Sequence, residues 1–375
     1  MNLYLHIPFC ASRCSYCDFY TQVGGRWRRD FLSALLGELR LRRDELPKGE
    51  TIEHIYLGGG TPSLLTIEEL RQIFSLISEL YPCSYEGEIT IECNPDDVTE
   101  AYAEGLASLP INRVSMGVQS FDADDLTFLN RRHSAQQVHS AIHALRQCGI
   151  TNLSLDLIYG LPRQTEAKWR ANIHEFLSLG VPHLSAYHLI YEEGTALTRL
   201  VERGKVKPVD EEASLLFFQI LIDELRVAGY EHYEISNFAR PGLHARHNTG
   251  YWQGVPYLGF GPSAHSFDGR RTRSYNVPSL KTYTSELLSG RRPYEEEHLS
   301  DEELQHEYVM TRLRTQWGIS LEEYQELFGG KALEALLHEA RPHLEAGKLT
   351  HQSGVLRLTP SGVFVSDGII ADLFV

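Results

Sequence analysis

What the chain has little of narrows its class first. Six cysteines in 375 residues are too few for a disulfide scaffold. No window approaches ~18 uninterrupted apolar residues, so no membrane-spanning helix is expected. The Met1-Asn2-Leu3-Tyr4 start lacks the basic stretch and apolar run of a secretory signal, and the chain is expected to be cytoplasmic. Neither an internal repeat nor a low-complexity segment is present. Positive charge is also short: 35 Lys and Arg stand against 50 Asp and Glu, leaving a net charge of -15. Such a surface opposes phosphate backbones and anionic lipids, so nucleic acid is not expected as a partner. What remains is an ordinary globular composition, 42% hydrophobic and 23% charged, in a chain long enough for one large α/β domain and a smaller appended one.

Short β-type runs alternate with amphipathic helical stretches through the first half, the pattern of βα units around a parallel sheet. Strands are predicted at Leu3 to Ile7, Ile52 to Leu57, Glu88 to Cys93, Arg113 to Val118, Asn152 to Tyr159 and His183 to Ile190. Phe31, Leu35, Leu39 and Leu46 mark a helix over 31–46. Six units are too few for a closed eight-stranded barrel, and the polar and glycine-rich clusters follow the C-terminal ends of strands, where barrel loops build sites. The expected fold is therefore α/β, a partial (β/α)6 barrel over 1–195. An extension over 196–297 packs onto it, with a helix at Asp210 to Val227 and a loop at Glu295-Glu296-Glu297. Residues 298–375 read as three helices and a hairpin, a mainly helical, winged-helix-like domain. Fold of that kind does not fix DNA binding, and the charge argues against it.

Three of the six cysteines fall within eight residues. Cys10, Cys14 and Cys17 lie on one loop after the first strand, and three soft thiolates together select zinc or an iron-sulfur cluster. Zinc would want a fourth ligand, which His6 on the strand supplies poorly, and a redox pair of Cys14 and Cys17 would leave Cys10 idle. On a four-iron cluster, three cysteines leave one iron open for a ligand. Cys83, Cys93 and Cys148 are scattered among apolar neighbours and read as structural.

The spacing C-x3-C-x2-C, with Tyr16 before the last cysteine, resembles the signature of radical S-adenosylmethionine (SAM) proteins. The resemblance implies a [4Fe-4S] cluster on Cys10, Cys14 and Cys17, with SAM chelating the open iron. Gly58-Gly59-Gly60-Thr61 after the second strand is a plain turn by itself, but it resembles the glycine motif that holds the SAM amino group in that family. Glu92, Gln119 and Asp156 sit at or near strand ends and Arg131 follows a short helix. They can bind ribose and carboxylate groups or form inter-strand ion pairs. The runs Tyr4-Leu5-His6-Ile7-Pro8-Phe9-Cys10, Ile91-Glu92-Cys93-Asn94-Pro95, Ser115 to Ser120 and Asp156 to Pro162 most resemble the oxygen-independent coproporphyrinogen III oxidase branch. That resemblance implies SAM contacts from Tyr4, Gly59, Gly60, Thr61, Glu92, Gln119, Arg131 and Asp156, and further ones from Tyr16, Ala186 and His265.

Within the branch, the decarboxylating dehydrogenases carry a further cysteine two positions after the last cluster ligand, where this chain has Phe19, and an N-terminal extension ahead of the first strand. Those departures, with His247-Asn248-Thr249-Gly250-Tyr251-Trp252, resemble the HemW family of heme chaperones. The resemblance implies heme as cargo and apo-hemoproteins, such as respiratory enzymes, as recipients. A neutral His247 could ligate heme iron, with Tyr251 and Trp252 covering the porphyrin, although without the resemblance the segment reads rather as a packed loop with a satisfied histidine. Productive radical chemistry is not expected on this reading, and oxidative decarboxylation of coproporphyrinogen III is the competing one. A homodimer and, at most, peripheral membrane association are compatible with the sequence.

Overall fold

A computed structural model describes residues 1–375. Six parallel strands, Asn2–Ile7, His54–Gly59, Ile89–Cys93, Arg113–Gln119, Asn152–Tyr159 and His183–His188, adjoin one another in chain order. Each is within two residues of its predicted position. Alternation explains the layering: Leu3, Leu5, Ile55, Leu57, Ile89, Ile91, Val114, Met116, Leu153 and Leu155 are buried in one core with the helices. Their neighbours Tyr4, Tyr56, Glu92, Ser115 and Asp156 therefore face the opposite, concave side. Helices cover the outside. Ile67–Leu80 begins at a Thr66–Glu69 capping box and buries Leu70, Ile73, Phe74 and Ile77 at helical spacing.

The sheet does not close. The extension lengthens it at both edges: Tyr257–Phe260 runs parallel beside the first strand, followed by antiparallel His265–Phe267, Thr272–Asn276 and Tyr294–His298. On the other side Asn237–Ala239 and Glu231–Glu234 add antiparallel to the sixth strand. So the extension shares the sheet and its core instead of lying upon it. Glu295-Glu296-Glu297, expected as a loop, is an exposed edge strand, where three carboxylates discourage pairing with another chain.

The helix expected over 31–46 is observed at Arg28–Leu41. It stops because Arg42 turns inward, donating to Glu38 and to the Gly259 carbonyl. Beyond residue 298, the helices Asp301–Leu313, Leu321–Phe328 and Gly330–Glu345 and a three-stranded sheet enclose a second core around Val309, Tyr324, Leu336 and Leu356. No helix is long and apolar enough to cross a membrane.

Candidate functional site

The C-terminal ends of the parallel strands surround a cavity of about 440 Å³. Cys10, Cys14 and Cys17 all line it, on the loop leaving the first strand. Backbone and side-chain bonds pin that loop: Ser15 N–H donates to the Leu129 carbonyl at 3.2 Å, Asn130 Nδ2 to the Arg13 carbonyl at 2.8 Å, and His6 Nε2 to the Tyr20 carbonyl at 3.0 Å. Thr61 Oγ1 lies 3.5 Å from Cys10 Sγ, and Arg131 Nη1 3.3 Å from Cys14 Sγ. Burial pushes the Cys10 thiol up and the Cys17 thiol to about 11, so a metal taking these two sulfurs must displace their protons. The donor set suits an iron-sulfur cluster with one open iron: three thiolates, a nearby guanidinium to offset their charge, and space before them. Arg131 Nε and Thr21 Oγ1, on residues lining the same cavity, are buried without a partner, as expected of groups awaiting a polar ligand.

The glycine motif serves that loop before any ligand. Gly60 N–H donates to the Ile7 carbonyl at 2.8 Å and Thr61 N–H to the Phe9 carbonyl at 2.7 Å. A Cβ at Gly60 would lie 2.6 Å from the Phe9 oxygen and 2.8 Å from that of Ile7. Gly59 has φ +106° and gives its N–H to Glu92 Oε2 at 3.1 Å. All three of these N–H groups are taken by the protein in this structure.

Glu92 and Asp156 face the cavity from the third and fifth strands. Glu92 Oε1 accepts from Tyr56 OH at 2.7 Å, and Asp156 Oδ1 from Ser115 Oγ at 3.4 Å. Burial, above all, raises the Glu92 carboxyl to about 7 and the Asp156 carboxyl to about 6. Two such groups favour a cationic, hydroxyl-bearing ligand, which would stabilise their charged forms. Gln119 reaches the cavity through an irregularity in the fourth strand between Gly117 and Gln119, and holds a left-handed φ of +70°. Arg131 also donates to Asn94 Oδ1 and the Gly117 carbonyl. Tyr16 completes the wall.

Six expected site residues are elsewhere. Tyr4 lies below the cavity, where its hydroxyl donates to His6 Nδ1 at 3.2 Å. Ala186 points into the helix-side core and its N–H is given to the Ser236 carbonyl at 2.8 Å. His265 is exposed on the extension strand His265–Phe267, away from the cavity, stacked on Tyr275 with centroids 5.2 Å apart. His247, Tyr251 and Trp252 form the short helix Arg246–Trp252 at the N-terminal end of the strands, with His247 fully buried. Its Nε2 is 2.9 Å from Tyr251 OH, and burial holds its imidazole down to about 3. Arg314 covers the Trp252 ring. In this structure the helix closes His247 off from solvent, with its Nδ1 buried and unpartnered. The cause is long-range: Glu88 accepts from the Arg246 and His247 N–H groups at 2.9 and 3.1 Å and draws the helix onto the sheet.

Not every cavity residue is named by the sequence pattern. Tyr187, Asn94 and Thr21 line the site. The phase of the sixth strand, with Tyr187 two residues after inward-facing Ser185, is the signal that could have found the first.

The cysteine loop and the strands around it match the family model of the radical SAM superfamily over residues 4–176, and residues 299–365 match the HemN C-terminal domain. The chain is 34% identical to a heme chaperone HemW of Mycobacterium tuberculosis, over 99% of this chain and 94% of that one. It is 33% identical to the heme chaperone HemW of Bacillus subtilis, over 98% and 97%. Mitochondrial radical S-adenosyl methionine domain-containing protein 1 of Danio rerio is 31% identical over 88% and 76%. Among solved structures, the coproporphyrinogen III oxidase HemN of Escherichia coli superimposes with a TM-score of 0.86 at 23% identity, over 100% of this chain and 89% of that one.

Proposed function

From the premise that the chain belongs to the HemW family of heme chaperones within the radical SAM superfamily, we propose that it binds a [4Fe-4S] cluster, SAM and heme and delivers heme to apo-hemoproteins in the cytoplasm. Cys10, Cys14 and Cys17 would hold the cluster, which when bound supplies an open iron and an electron. Around it, Arg131 would neutralise a carboxylate, Glu92 and Asp156 would face the sulfonium and ribose, and Gln119, Tyr16 and Thr61 would complete the polar wall. Gly59 and Gly60 would shape this pocket through the loop they support.

The observation that carries the reading towards a chaperone is Phe19. It lies on the cavity wall with 63% of its surface exposed, at the position where the resemblance places a further cysteine in the decarboxylating enzymes. An apolar ring there offers neither a thiol for hydrogen transfer nor a metal ligand, whereas it does offer surface to a flat apolar cargo. The cluster-loaded protein, kept anaerobic, should take up heme, shift its absorbance, and release it to an apo-hemoprotein acceptor whose activity then appears. Carbon dioxide released over many turnovers from coproporphyrinogen III, SAM and reductant would overturn this in favour of the dehydrogenase.

A further inference from the structure

The H-N-x-x-Y-W helix has its histidine inside the barrel, and its contacts there suggest a structural role. It closes the floor of the barrel, opposite the cysteine loop. Gly250 is pressed against the start of the first strand, where a Cβ would lie 2.5 Å from Asn2 Nδ2. Arg312, from the C-terminal domain, donates to the Trp252 carbonyl at 3.0 Å, so the helix is held from both sides.

Above the floor, the His247 ring faces that of Tyr56 with centroids 5.1 Å apart and a 32° tilt, and Tyr4 with centroids 6.5 Å apart. Each tyrosine carries that support upward. Tyr56 OH donates to Glu92 Oε1, while the other carboxylate oxygen receives the Gly59 N–H. Tyr4 OH donates to His6, whose Nε2 then donates to the Tyr20 carbonyl of the cysteine loop. Because Nε2 faces a carbonyl it must carry the proton, which leaves Nδ1 as the acceptor from Tyr4. His247 itself touches neither the cavity nor the cysteines.

The geometry points to His247 as a positioning residue for SAM: from the barrel floor it fixes the Tyr56 ring, whose hydroxyl fixes the Glu92 carboxylate in the SAM site. This rests on the proposal that Glu92 binds SAM. A buried ring that can tilt lets its hydroxyl drift from a hydrogen bond whose geometry is narrow. A carboxylate that must meet a ligand loses affinity when it samples other rotamers. His247 acts here by its flat face rather than its nitrogens.

Equilibrium binding of SAM to the anaerobic, cluster-loaded full chain tests it, with iron-sulfur absorbance confirming that each variant is folded and loaded. Tyr56→Phe should weaken SAM about tenfold, the worth of one hydrogen bond to a charged group, and His247→Ala about fivefold. His247→Phe, which keeps a ring against Tyr56, should restore most of the His247→Ala loss. Placed on a Glu92→Gln background, neither Tyr56→Phe nor His247→Ala should weaken SAM further, since the group they position is already altered. Losses that simply add to that of Glu92→Gln would mark the helix as a general support and overturn the inference. So would unchanged SAM affinity in Tyr56→Phe and His247→Ala while Glu92→Gln is weakened. If Glu92→Gln itself binds SAM normally, the assignment of the site fails and the inference falls with it. Heme lost from His247→Ala with SAM affinity intact would make His247 a heme ligand after all.

Discussion

The two buried carboxyls predict a pH dependence of SAM binding that can be worked out beforehand. In the protein without SAM, Glu92 is raised from an ordinary 4.5 to about 7 and Asp156 from 3.8 to about 6. Raised acid values mean that the folded state holds these protons more tightly than the unfolded one. Their contribution to stability is therefore full below about pH 4 and is lost as pH rises through 6 and 7. A bound sulfonium cation reverses the preference by favouring the ionised pair. At pH 6 about one-tenth of Glu92 and half of Asp156 are ionised, whereas at pH 8 nearly all of both are, so SAM should bind about twentyfold more tightly at pH 8. In Glu92→Gln only Asp156 remains to titrate, and the change shrinks to about twofold. The amine of SAM titrates near 8 as well, but equally in both proteins, so the ratio of their affinities isolates Glu92. Equilibrium dialysis against cluster-loaded protein from pH 6 to 8 gives that ratio. A ratio constant with pH would refute the claim that Glu92 meets the cation in its charged form.

Other perturbations follow from the same geometry. Replacing Cys10, Cys14 and Cys17 together by alanine should abolish iron-sulfur absorbance after anaerobic reconstitution, and an unchanged spectrum would refute the cluster assignment. Gly60→Ala places a methyl 2.6 Å from the Phe9 carbonyl oxygen, a backbone atom that cannot swing aside. Displacing that segment should cost about 1–3 kcal/mol and cut cluster loading, as read by melting temperature and iron content. Glu38, fully buried, accepts from Arg42 Nη1 at 2.9 Å, Gly261 N–H at 2.9 Å, Asn276 Nδ2 at 2.7 Å and Tyr283 OH at 2.6 Å. Its replacement by alanine leaves Arg42 only Glu45 as a carboxylate partner and takes the acceptor from the Gly261 N–H and the Tyr283 hydroxyl, which should cost about 3–5 kcal/mol. Scanning calorimetry should then show a melting temperature lower by about 4–6 °C.

Local pattern carried much of the fold. Alternation along Asn152 to Tyr159 gave a strand with the observed bounds, because each residue's face is set by its own neighbours. Three thiols in eight residues announced metal chemistry for the same reason: the ligands share one loop and need no tertiary contact to be brought near one another. Glu92, Gln119 and Asp156 were also within reach, since a polar residue in a buried strand has to face something polar. The limits came where sequence distance grows. Phe19 could be compared with a family's pattern, but only folding shows its ring exposed at the cavity wall. Glu295 to Glu297 looked like a loop by charge, and became a strand because Thr272–Asn276 offered a free edge. Tyr56 gave no local sign of its role, which exists only because Glu92 comes beside it 36 residues later. His247 is the sharpest case. Its sequence context determined an aromatic, histidine-bearing turn of helix, while Glu88, 159 residues away, decided that this turn would close the barrel floor and bury the imidazole against Tyr56. Composition and spacing fix which groups a segment can present; which of them meet, and which meet solvent, is decided by strand register and by hydrogen bonds between distant residues.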